Sequence, residues 1–370
     1  MNEPNAILLD HHEPVRRSAE TGVASPTRGV NEGYPMLQML RMLVGLSIFA
    51  GHWSEPYFGQ MWPQGQIAID IFFMIEGFLS MRFLSQPAVV GASWRRVVGD
   101  RIAHVYPIYA MALIAGFCSF APLALKHAEG WTIANWVGAF FSGLVLMPVF
   151  SPRVYGSVFP LNPPSWAIVL ELFGFAFLAA LRVQGSPGRL VVLWVGAMSA
   201  CLALGALWHD PNAGWSAAHY WGGWPRMILS FCGGALLWHL HRRHGTRGPT
   251  LPPTYVLAGF VGMHLPAIRF IGWPLLAFGV PVLVWSGAAC ARPAWLETIA
   301  GYARRNALAI YLLGYPVMMI WRYADTAFTM RPSFAESPAG FALVLGSLLA
   351  ASVTVMRLQN NTVRVAPARP

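Results

Sequence analysis

Apolar runs long enough to cross a bilayer follow one another along most of this chain, separated by short loops that hold most of its arginines. They predict ten transmembrane helices, at 36–53, 66–84, 103–124, 166–182, 189–208, 224–240, 254–268, 270–290, 306–322 and 338–356. One further apolar stretch, WVGAFFSGLVLMPVF at 136–150, does not fit the alternation, because a full crossing there would invert every later loop. It is expected as a re-entrant or interfacial segment held against the bundle. The predicted fold class is therefore all-α, a polytopic transmembrane helix bundle.

The loops carry a direction. Arginines cluster at 82–101, 182–189, 242–247 and 292–305, which are alternate loops. Basic residues accumulate on the cytoplasmic side of membrane proteins, so these loops and both termini are expected there. The loops at 125–135, 209–223 and 323–337 hold fewer arginines and more Trp, Asn, Pro and His, and are expected to face the other side. Residues 1–33 are polar with no apolar core and read as a disordered cytoplasmic tail. Residues 34–357 form the membrane domain, and 358–370 a short cytoplasmic tail.

Composition supports this picture. Hydrophobic residues are 56% of the chain and charged residues 11%, against roughly 25% charged in a soluble domain. The net charge of +10 is almost entirely arginine, Lys126 being the single lysine. Scattered over short loops and helix ends, it marks orientation and contact with anionic lipid rather than nucleic-acid binding. Cys118, Cys201, Cys232 and Cys290 are far apart in apolar segments and define neither a disulfide framework nor a metal site.

Against this background each ionisable residue within a span is a candidate for chemistry. Arg41 and His52 lie eleven residues apart in the first span. On a helix that is about 16 Å and close to three turns, so both share one face. The pair reads as an anion anchor at one depth and a proton-transfer group at another. Asp70 and Glu76, six residues apart in the second span, point to different faces. A packing or ion-pair role suits Asp70 as well as catalysis does. In DRIAHVYPIY, Arg101 and His104 share a face ahead of Pro107, which is expected to start the helix, and could grip a phosphate or pyrophosphate. Trp166 and Glu171 follow a turn forced by Pro163 and Pro164, and a lone Glu in an apolar helix calls for a basic partner. Arg226 heads RMILSFCGGALLW, whose Gly233 and Gly234 suggest tight packing. His239, His241 and His244 have arginine neighbours that would repel a cation, and no metal site is expected. No HExxH, GxSxG, HxxxxD, Walker A or GxGxxG pattern occurs.

Taken in order, these motifs resemble the acyltransferase-3 family of integral-membrane O-acyltransferases. Arg41, ten residues and His52 fit its first span; IAIDIFFMIEGF follows its second, with Glu76 where Ser is usual. RIAHVYP supplies Arg101 and Pro107 of its Arg-x-x-Arg-x-x-Pro element, with His104 for the second Arg. WAIVLE retains Trp166 and Glu171 of its Trp-Ser-Leu-x-x-Glu element without the Ser. RMILSFCGG and NALAIYLLGYPV are later matches, the family often having a His near Gly314. The resemblance runs from about 36 to 356.

The resemblance implies transfer of a small acyl group, commonly acetyl, from acyl-coenzyme A to a hydroxyl of a glycan or glycolipid at a bacterial inner membrane. His52 would be general base and Glu171 catalytic, orienting His52 or binding a sugar hydroxyl; the sequence does not choose. A covalent acyl-His relay is also conceivable. Arg41, Arg101 and His104 would hold the phosphates of coenzyme A, and Asp70, Glu76, Trp166 and Arg226 would be structural or substrate-orienting. His104, a weaker and protonation-dependent anion ligand than Arg, and Glu76 mark the chain as divergent. The rival readings are a transporter or flippase, for which no two-fold internal symmetry is visible, and an inactive relative, prompted by His104 and Gly314.

Overall fold

The computed structural model describes residues 33–57, 67–150, 156–182, 186–208, 213–245, 250–265, 275–328 and 337–365. The helices are α1 Pro35–Tyr57, α2 Ile67–Leu84, the short α3 Pro87–Val90, α4 Trp94–Leu125, α5 Ile133–Leu144, α6 Ser165–Leu181, α7 Pro187–Trp208, α8 Gly223–His244, α9 Pro253–Met263, α10 Val280–Ala288, α11 Ala294–Phe328 and α12 Pro338–Val365. A π-helical turn, Leu275–Gly279, leads into α10. No strand occurs among the described residues, and the helices satisfy most of their backbone groups within themselves, as a membrane interior requires.

Four of these helices, over Trp94–Leu125, Pro187–Leu207, Ala294–Ala324 and Pro338–Gln359, are long and apolar enough to cross a bilayer. They answer to four of the ten expected crossings. The count of ten is not established by helix length and apolarity, because α1, α2 and α8 carry internal charge and α6, α9 and α10 are short. The expected spans at 254–268 and 270–290 fall partly outside the described residues.

α2 forms the axis of the bundle: all of its side chains except that of Arg82 are buried. It lies backbone-to-backbone against α8, where a Cβ on Gly234 would stand 1.9 Å from the Met74 carbonyl oxygen, and one on Gly77 2.0 Å from that of Phe231. Only glycine admits so close a crossing, the small-residue packing that joins helices in lipid. α1 packs along α11 in a similar way, Gly45 facing the backbone of Tyr311.

Pro107, read from the sequence as a helix start, lies inside α4, which begins at Trp94. Proline is tolerated within such a helix because neighbouring groups compensate the disturbed ladder. The His104 carbonyl, close to this break, accepts a hydrogen bond of 3.0 Å from Gln359 Nε2. That contact comes from α12, which continues as helix to Val365 through residues assigned from the sequence to a tail.

The segment 136–150 falls mostly in α5, twelve residues long and thus about 18 Å, short of a crossing. A capping box joining Thr132 and Asn135 begins it. α4 holds it from the side: Tyr106 and Tyr109 donate to the carbonyls of Leu144 and Gly143, both at 2.8 Å, and Trp136 stacks on Phe117 with centroids 3.9 Å apart. Beyond it, residues 156–164 are irregular yet buried, with Val158, Phe159, Leu161 and Asn162 in the interior. This loop is fastened by Asn162 Nδ2 to the Leu312 carbonyl at 2.9 Å and by the Tyr311 hydroxyl to the Pro164 carbonyl at 2.8 Å.

Candidate active site

Two separate groups of ionisable side chains occupy the interior, one on each face of α2. The spacing of Asp70 and Glu76 turns them in different directions, Asp70 to Arg226 and Glu76 to Arg41 and Arg101. Asp70 is gripped by Arg226 of α8 in a two-pronged pair, Nε to Oδ1 at 2.9 Å and Nη2 to Oδ2 at 2.7 Å. Arg226 Nη1 also donates to the Ala213 carbonyl at 3.1 Å, and the Ser230 hydroxyl reaches Asp70 at 3.4 Å. All three side chains are buried, so this group ties α2, α8 and the loop before α8 together.

The second group draws on four helices. Arg101 of α4 donates through Nη2 to Glu171 of α6 at 2.7 Å and to Glu76 of α2 at 3.0 Å. Arg41 of α1 stands against the same Glu76, its Nε 2.5 Å from Oε1. That contact is an ion pair. Arg41 is steadied by Gln38 one turn earlier, Nη1 to Oε1 at 3.0 Å, and the Arg101 guanidinium lies over the Phe175 ring at 5.7 Å. Two guanidiniums and two carboxylates thus alternate, Arg41–Glu76–Arg101–Glu171, and their formal charges cancel. Arg101 Nε is also buried and has no hydrogen-bond partner among the described residues.

His52 lies on the same helix as Arg41 but about 16 Å further along it. It is partly exposed, and its ring meets Tyr315 of α11 edge-on at 5.4 Å. One turn before it, Phe49 packs against Gly314, the position near which a His is often found in the resembled family. Glu171, expected either to orient His52 or to bind a sugar hydroxyl, belongs to the charge cluster and is held by Arg101. His104 shares Arg101's helix but stands on the exposed face of α4. Trp166 is buried, edge-on to Phe73 at 6.0 Å and tight against Gly214, which gives it a packing role.

Of the expected site residues, the fold therefore brings together Arg41, Glu76, Arg101 and Glu171; it sets apart Asp70 with Arg226, and His52 with Tyr315. Sequence reasoning passed over Gln38, Phe175 and Tyr315. Gln38 had a signal, being a polar residue within the first apolar run and one turn from Arg41. The two aromatics had none, since only the packing of α6 and α11 selects them from the many in the chain.

Comparison with known proteins agrees with the motifs. The chain is 29% identical over 154 residues to the acyltransferase MdmB of Streptomyces mycarofaciens, a match covering 39% of this chain and 37% of that protein. The match thus spans little more than a third of the relative's length. No solved structure matches the chain. The family profile described as "Acyltransferase domain", that of acyltransferase-3, matches residues 35–357, nearly the whole of the helical bundle. The chain is an integral-membrane protein and belongs to the acyltransferase-3 family.

Proposed function

We propose that this protein transfers a small acyl group from acyl-coenzyme A to a sugar hydroxyl of a glycan or glycolipid at the bacterial inner membrane. The observation that carries the reading is the pairing on α1 of an arginine in a buried charge cluster with a partly exposed histidine about 16 Å away, inside a chain that the family profile covers almost end to end. A donor with phosphates at one end and a thioester at the other is suited to such a separation. His52 takes the proton of the acceptor hydroxyl as its oxygen attacks the thioester carbonyl. The carbon–oxygen bond forms, the carbon–sulfur bond breaks, and the proton passes to the departing thiolate. Arg41 and Arg101 provide the cationic end, where guanidinium groups match phosphate geometry. Glu171 positions Arg101, which the 2.7 Å contact supports. The arginine-bearing loops lie in the cytoplasm with both termini, on the donor's side.

The test is mass spectrometry of surface glycans from cells with the intact protein, with His52→Ala, and without the chain. An acyl-sized mass present only with the intact protein is the expected outcome, with His52→Ala inserted and expressed normally. Normal acylation by His52→Ala removes His52 from the chemistry; identical glycans in all three remove the glycan acceptor.

A further inference from the structure

The cationic end of the site is already occupied, and by a residue peculiar to this chain's pattern. Glu76 stands where the second-span motif usually has Ser, and its two oxygens lie on the two arginines available for an anion, Oε1 on Arg41 and Oε2 on Arg101. It comes from the most enclosed helix of the bundle, so it cannot swing out to solvent: Met74, Ile75, Gly77 and Phe78 on either side are all buried. Glu171 already balances one of the two cations. Without Glu76 the cluster would hold a net positive charge facing α1 and α4; with it the formal sum is zero. Arg101 Nε, buried and without a hydrogen-bond partner among the described residues, is a donor that the two carboxylates leave over.

We infer that Glu76 is a built-in competitor anion that determines how strongly, and for which anions, the Arg41–Arg101 site binds. The inference deepens the donor-binding reading above and rests on it for the identity of the natural ligand, though not for the competition itself. A phosphate or pyrophosphate group reaching the arginines meets Glu76 at close range inside a low-dielectric interior, where like charges repel far more than in water. The site therefore binds its phosphorylated ligand weakly and releases it readily, and it favours ligands whose binding energy also comes from parts remote from the phosphates over small free anions.

The experiment uses the full-length protein in lipid nanodiscs and titrates inorganic pyrophosphate and, separately, coenzyme A by calorimetry against the wild type, Glu76→Gln and Glu76→Ser. Both substitutions are expected to tighten pyrophosphate binding by about tenfold or more, with the gain shrinking as salt is raised. Equal or weaker pyrophosphate binding in both variants, with thermal unfolding showing them folded, overturns the inference. Should the single substitutions fail to fold, the comparison moves to Arg41→Gln against Arg41→Gln with Glu76→Gln, where loss of the carboxylate must again tighten binding and an unchanged affinity overturns the inference. Tighter pyrophosphate binding without any coenzyme A binding supports the competition while removing acyl-coenzyme A as the donor, so the two readings fail separately.

Discussion

α2 and α7 invert what a soluble protein teaches. α2 is buried on all sides and contains Asp70, Glu76 and Arg82; α7 is mostly exposed and presents Val191, Val192, Val195, Leu202 and Leu207 outward. In water the charged helix would be at the surface and the apolar one inside. In lipid the surroundings are as apolar as leucine, so apolar side chains gain nothing by turning inward, while a charge is tolerated only where another charge or donor meets it. In this pair the helix with three charges lies at the centre and the largely apolar one at the periphery. What holds the centre together is consequently ion pairs and glycine contacts, and these are where the comparison can be broken.

Asp70→Leu is expected to have the largest effect on stability, because it leaves Arg226 buried without its partner; such losses run to about 3–5 kcal/mol. Adding Arg226→Leu should restore much of it, as replacing a buried pair by apolar groups is often nearly neutral. Unfolding in detergent measures both, and a double variant no better than the single would show that the two charges are not coupled. Gly234→Ala should cost about 1–3 kcal/mol by forcing α2 and α8 apart at the Met74 carbonyl. The same unfolding assay would expose an unchanged Gly234→Ala protein, and with it a bundle that does not depend on this crossing. At the other end of the scale, Val192→Ala on α7, a side chain 72% exposed, should change stability by less than about 0.5 kcal/mol. A large loss there would mean that α7 has a protein neighbour on its outer face.

Much of the interior logic was legible beforehand. Six residues between Asp70 and Glu76 cannot return to one helix face, and the two do meet different partners. A lone Glu171 in an apolar helix demanded a base, and Arg101 supplies it. Three features were not legible. Pro107 looks like a helix start by local rules, yet α4 runs through it, and the His104 carbonyl beside it is met by Gln359 from 255 residues away. The buried loop at 156–164 has no periodicity to announce it, and its fastenings, Tyr311 and Leu312, lie on a helix far along the chain. The resemblance left Glu171 either orienting His52 or binding a sugar hydroxyl, and which arginine would hold it was not written in the motifs.

The sequence alone determined that the chain is helical and membrane-embedded, which residues are too polar to be there without purpose, and the family, because hydrophobic run length and motif order are properties of the linear chain. Only the tertiary structure decided who pairs with whom. Arg41 and Arg101 could each have awaited a phosphate, but the close crossings of α2 with α8 and of α1 with α11 fix the position of Glu76 between them. A carboxylate and a guanidinium attract at any sequence separation, and only packing chooses which of them come within reach.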